Sequence, residues 1–131
     1  MRLIASLSEE RRHRDVCVDF DNTIIDNERD SDTFLQPLPG AREALQTLRD
    51  EGYHIIVWSA RASPVWPDNR GKIIEMQAIL RAHDLPHDEV DMGDKGKRPC
   101  LLYIDDNAVH FTSWEKNLPE VLRRLKEREA A

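Results

Sequence analysis

The sequence predicts a single α/β domain built on an open, doubly wound, Rossmann-like sheet that is mainly parallel and covered by helices. Short apolar runs of strand character alternate with segments whose apolar residues recur at helical spacing, so consecutive strands are joined by crossovers and lie parallel. At 131 residues there is room for one core, residues 1–131 forming one unit. A carboxylate or a serine directly follows three of the strand-like runs, at the sheet edge where open α/β folds bind ligands.

Residues 1–14 turn charged after Leu7 and read as a flexible leader or a short helix. Val16, Cys17 and Val18 are the apolar, β-branched stretch of a buried first strand, which ends in Asp19 and Asp21 with Phe20 between them. Side chains two apart on an extended chain share a face, so the two carboxylates are expected to point together and Phe20 to turn into packing. Residues 27–40 are polar and then proline-rich, a loop or flap. Ala41, Ala44, Leu45 and Leu48 carry a helix stopped by Gly52, and Tyr53 to Trp58 is a second buried strand. After a loop with two prolines, Ile73, Met76, Ile79 and Leu80 line a helix ending near Asp84 and Pro86. Val90 to Met92 is a short third strand, residues 93–99 a basic turn-rich loop, and Leu101 to Ile104 a fourth strand closed by Asp105 and Asp106. Leu118, Val121, Leu122 and Leu125 form a last amphipathic helix, with Pro119 placed in its first turn and a solvated, charge-alternating tail.

Composition narrows the function classes. Charged residues at 34% against 40% hydrophobic suit a globular chain rather than a disordered one. A net charge of -6 gives no general attraction to nucleic acid or anionic membrane. No apolar run reaches membrane-spanning length and no secretory signal opens the chain, so a cytoplasmic location is expected. Cys17 and Cys100 both lie in strand-like runs and read as buried small hydrophobes.

The topology gathers Asp19, Asp21, Ser59, Asp105 and Asp106 at one sheet edge, with the Lys95/Lys97 loop just before the last strand. Carboxylates crowded together repel and cost desolvation unless a cation joins them or one holds a proton. Mg²⁺ binds few carboxylates and keeps positions for water and phosphate, while lysine supplies the point charge that phosphate oxygens need. A phosphorylated substrate follows. A P-loop route does not, since no glycine-rich Walker-type loop is present, and a calcium-loop reading of residues 19–30 fails for want of the glycine its tight turn requires.

Asp19-Phe20-Asp21-Asn22-Thr23, Ser59 at the end of the second strand, Lys97, and Asp105-Asp106 after LLYI occur in the order of four motifs of a known family. On these residues the chain resembles the haloacid dehalogenase superfamily of aspartate-nucleophile phosphatases. The resemblance implies that Asp19 takes the phosphoryl group and that Asp21 protonates the leaving group and then activates water. It implies a Mg²⁺ ion held by Asp19, the Asp21 carbonyl and Asp105, with Asp106 either a ligand or a partner of the ligands. Ser59 and Lys97 would hold the phosphoryl oxygens, with Lys95 the competing lysine, and Asn22 and Thr23 would fix the nucleophile loop. Both places where the family inserts a cap domain are filled by short loops and scaffold, so the chain looks capless. An open site implies a large or macromolecular substrate, or closure by a partner subunit such as a second copy in a homo-oligomer.

Arg61 has two readings, contact with substrate phosphate or a structural ion pair. The acidic 26–32 loop either borders the opening or is a solvated flap. Trp66 packs its loop or offers a ring to a base or sugar, and His110 caps or packs or touches substrate. His83 and His87 have helical spacing but are interrupted by Pro86 and are assigned no role. The competing function is a non-catalytic, phosphate-responsive module, either a degenerate phosphatase or a receiver-like domain. The motif order and the presence of both Asp19 and Asp21 favour the enzyme.

Overall fold

The computed structural model describes residues 14–130; of the expected leader only Arg14 lies among them. Four strands, β1 (Asp15–Asp19), β2 (His54–Trp58), β3 (Glu89–Val90) and β4 (Leu102–Ile104), form one sheet in the order β3-β2-β1-β4. Every pairing is parallel. Among the described residues three α-helices accompany them, α1 (Ala41–Asp50), α2 (Asn69–Ala82) and α3 (Trp114–Ala130). The chain winds outward from β1 to β3, then returns to place β4 on the other side of β1. The strand order therefore reverses between β1 and β4, the position at which open sheets form a crevice at their carboxyl ends.

β1 is central and buried, in keeping with its unbroken apolar run. Its register pairs Val16 with Ile55 and Val18 with Val57, and these four join Phe20, Leu45, Met76 and Leu80 in the core, so α1 and α2 cover the same face. Phe20 is fully buried, as alternation along the strand demands. Cys17, Ile56 and Tyr103 share the opposite face, where Tyr103 donates from its hydroxyl to the Arg98 carbonyl and so ties down residues 93–101. Burial in that strand pushes the Cys17 thiol up to about 12 with help from the adjacent Cys100, which keeps it protonated and unreactive.

Helix ends follow local chemistry. Gly52 sits at φ 90 after α1, with Tyr53 N–H 3.1 Å from the Leu48 carbonyl and Gly52 N–H 2.9 Å from that of Arg49. Asp84, at φ 51, ends α2 in the same way, and the buried Leu85 completes the motif. Gly93 is required for a second reason besides its φ of 76. A β-carbon there would lie 2.2 Å from the Ala62 carbonyl oxygen, so only glycine lets the basic loop pack against the turn after β2.

Besides one-residue shifts at the starts of β2 and β4, two expected boundaries move. β3 is Glu89–Val90, not Val90–Met92, because Asp91 leaves the strand to accept bonds from Gly93 N–H at 3.0 Å and Arg98 Nη1 at 2.9 Å. Pro119 lies inside α3 beyond its first turn, since the helix begins at Trp114. The earlier start is set by Asn117, whose buried amide accepts from Thr112 N–H at 2.7 Å and Ser113 N–H at 3.1 Å, a helix start organised from within.

Candidate active site

β1 delivers Asp19 and β4 delivers Asp105 and Asp106 to the crevice between them. One oxygen from each carboxylate falls in a set that lies within 4.8 Å of one another. Thr23 Oγ1 donates to Asp19 Oδ2 at 3.4 Å, and Asp105 Oδ1 accepts the Asn107 N–H at 2.7 Å, so these two carboxylates are each braced by the loop that follows them. Burial, a bond shared with Asp106 and the neighbouring charges of Asp105, Asp106 and Asp21 push Asp19 up to about 8. Three anions at this range are in tension that a divalent cation would relieve. All three donors are oxygens, the chemistry that Mg²⁺ prefers, and an open mouth leaves room for its waters.

Asp21 faces the same cleft as Asp19, as strand parity predicts. β1 stops at Asp19, and Asn22 at φ 58 turns the chain, with Ile24 N–H 3.0 Å and Ile25 N–H 3.2 Å from the Phe20 carbonyl. The Asp21 carboxylate consequently enters the cleft from the β2 side. There it accepts Ser59 Oγ–H at 3.0 Å and a two-pronged bond from Arg61, Nε at 2.9 Å and Nη2 closer still. The Asp21 carboxylate is therefore not one of the three clustered carboxylates, and the metal contact expected of Asp21 is its backbone carbonyl. Of the two readings of Arg61, the structure gives the ion pair: its guanidinium also lies 5.6 Å from the Phe20 ring centre, a position fixed on several sides.

A cleft of about 270 Å³ joins the two groups, lined by Asp19, Asp21, Asn22, Trp58, Ser59, Asp105 and Asp106 among others. Asn22 braces the loop, accepting the Asn27 N–H at 2.8 Å and donating to Glu28 Oε1 at 3.2 Å. The acidic 26–32 segment is folded around Asp26, which takes bonds of 2.5 Å from both Ser31 and Thr33 and is held below the usual carboxylate range by them and by the Glu28 amide. Lys97 is not in this cleft. Its ammonium lies 5.0 Å over the Tyr103 ring and lines an adjoining hollow of about 590 Å³ that shares Trp58 and Asp105 with the cleft; Lys95 lines neither. Trp66 packs its loop, donating to the Ala60 carbonyl at 3.1 Å under the Lys72 ammonium, and the His110 carbonyl accepts from Asn117.

Two residues of the cleft escaped sequence reasoning. Arg128 reaches from the far end of α3 to within 3.7 Å of Asp106, yet in the sequence it is one charge of an alternating tail. Trp58 reads as the last apolar residue of a strand, but its indole Nε1 is buried with no hydrogen-bond partner among the described residues. The only signal for it was position, since it pairs in register with Asp19.

The crowding at Asp19 has a measurable consequence. Its folded pKa lies above its ordinary 3.8, so the associated stabilisation is complete below about pH 4 and is lost as pH rises through about 8. Asp26 and Glu89 act in the opposite sense: their folded pKa values are lowered, for Glu89 because bonds from His54 and Arg98 outweigh its burial, and their support is lost only in acid. Without divalent cations, the melting temperature is therefore expected to fall between pH 5 and pH 8 by about 10 °C, the equivalent of a few kcal/mol. Saturating Mg²⁺ should cancel the fall by favouring the ionised cluster. Superimposable melting curves with Mg²⁺ and with chelator at pH 8 would rule out a cation site here.

No family model matches the chain, and neither does any curated protein. Among solved structures, a conserved protein from Bacteroides thetaiotaomicron is similar, 24% identical over 86% of this chain and 92% of that one, with a TM-score of 0.51. A target protein from Vibrio cholerae is 26% identical over 88% of this chain and 98% of that one, with a TM-score of 0.48. The likeness to the Bacteroides protein is one of fold, a small α/β domain on a parallel sheet.

Proposed function

We propose that the chain is a Mg²⁺-dependent phosphohydrolase that cleaves phosphomonoesters through an aspartyl-phosphate intermediate on Asp19. The observation that carries this reading is the convergence of Asp19, Asp105 and Asp106 at the sheet's switch point, faced across one cleft by Asp21 on its Ser59–Arg61 support. The three convergent carboxylates fit a hard divalent cation and would hold it. When bound, the ion offsets the charge of the phosphate as one anion approaches another.

Asp19 attacks phosphorus as the bond to the leaving oxygen breaks, and Asp21 gives that oxygen a proton. A water then attacks the same phosphorus, Asp21 takes its proton, and the Asp19–phosphorus bond breaks to release phosphate. Splitting the displacement replaces one difficult step with two easier ones. Arg61 is assigned to positioning Asp21, in place of a phosphate contact, because its fork is already engaged there. Ser59 shares that task. Lys97, in the hollow that shares Trp58 and Asp105 with the cleft, is the lysine assigned to phosphoryl oxygens, and Arg128 adds positive charge at the rim.

Among the described residues only loops stand between β1 and α1, so a large phosphorylated substrate can reach the cleft. The test is phosphate release from p-nitrophenyl phosphate, a panel of phosphorylated metabolites and phosphorylated oligonucleotide ends, with Mg²⁺ and with chelator. Turnover is expected only with Mg²⁺. A binding module would instead take up Mg²⁺ and leave every substrate intact, and that outcome would end the enzyme reading.

A further inference from the structure

Helix α3 is attached to the domain the wrong way round for an amphipathic helix. The side facing the body carries Asn117, Glu120, Val121 and Arg124, and the attachment is made by hydrogen bonds, Arg124 donating to the Ala108 carbonyl at 2.7 Å and to that of Asp106 at 3.1 Å. The large apolar side chains are left outside. Trp114 is 68% exposed, Leu118 48%, Leu122 49% and Leu125 53%. At about 3.6 residues per turn these four fall in one stripe along the helix. The stripe continues through Phe111, which meets Trp114 edge-on at 5.2 Å, into the hollow that Phe111 lines together with the exposed Leu101 and with Leu102 of the edge strand β4.

A lone domain rarely leaves so continuous an apolar surface in water. A stable dimer takes about 800 Å² from each partner, and seven large apolar side chains, each bare over about half its surface or more, make a patch of that class. The charges beside the stripe choose the occupant. Glu115 and Lys126 lie on the same flank, one near each end. An antiparallel second copy of α3 sets each Glu115 beside Lys126 of the other copy, twice by symmetry, while Leu118 interleaves with Leu122 and Leu125. A parallel pairing would put the Glu115 flanks of the two copies on opposite sides of the seam and leave Glu115 and Lys126 without each other.

We infer that the protein is a homodimer closed by antiparallel packing of α3 on α3 about a two-fold axis near Val121 and Leu122. Such an interface is isologous and self-limiting. It requires nothing of the chemistry proposed above.

Sedimentation equilibrium of the full chain over a range of concentrations tests this directly. The wild type is expected to be a dimer. Leu118→Glu should raise the dissociation constant at least about 30-fold, since it puts an unpaired charge at the centre of the interface. Leu118 is half-exposed in the protomer, so this variant should fold, which the circular dichroism spectrum would verify. Glu115→Lys and Lys126→Glu alone should each weaken the dimer about threefold, and the double variant should restore it. A monomer at every concentration overturns the inference, as does a dimer unaffected by Leu118→Glu or one that the double variant fails to restore.

Discussion

Replacing Asp19 with Asn is expected to abolish turnover while making the metal-free protein more stable above neutral pH. The two effects share one cause. Asn keeps the shape and can still accept the Thr23 hydroxyl, but it cannot attack phosphorus, so the loss is about 10⁴-fold or more on every substrate. It also carries no charge to be buried beside Asp105 and Asp106, so the burial and the anionic repulsion that together push Asp19 up to about 8 no longer cost anything. The fall in melting temperature between pH 5 and pH 8 should flatten in this variant, and Mg²⁺ should no longer reverse it. A catalytic residue that costs stability in the empty site is the usual signature of a functional constraint, whereas a structural ion-pair network would lose stability on the same substitution. Retained Mg²⁺-dependent turnover would remove Asp19 from the nucleophile's role. Lost turnover with lower stability at pH 8 would make the acidic cluster a structural element instead.

The acidic cluster was legible in the sequence because two simple rules agree there. Apolar runs of Val16 to Val18 and Leu101 to Ile104 read as strands by composition, and parallel crossovers send their carboxyl ends to the same edge. Asp19, Asp105 and Asp106 follow from those rules alone. Asp21 follows by strand parity into the cleft of Asp19, but its bonds to Ser59 and Arg61 do not, because Asn22 in the left-handed region turns the chain just after the strand. The pairing of Arg61 with Asp21 spans 40 residues and depends on the short helical turn Ala60–Ala62, which no periodicity announces. The same is true of α3: its leucines were assigned to a helix correctly, but spacing cannot tell an apolar stripe turned to the core from one turned to a partner. Long-range side-chain choices are made by tertiary packing, and a single sequence carries little trace of them.

Asp21→Asn should separate substrates by leaving group. p-Nitrophenolate departs without a proton, so Asp19 in this variant can still accept the phosphoryl group and release one equivalent of p-nitrophenol per site. Water attack, which needs Asp21 as base, then limits the rate, and the expected record is a burst followed by a steady state slower by about 10²–10⁴-fold. An alkyl phosphate must be protonated as it leaves, so it should show no burst at all. Arg61→Gln distinguishes the two tasks its guanidinium could have. If it positions Asp21 through the fork seen here, the aryl burst keeps nearly its normal rate while alkyl turnover falls about 10–100-fold with little change in KM. If the fork opens and Arg61 grips phosphate instead, both substrates lose burst rate alike and KM rises for both. The geometry favours the first pattern, because an arginine already bound at both prongs must break two charge-assisted bonds before it can bind anything else.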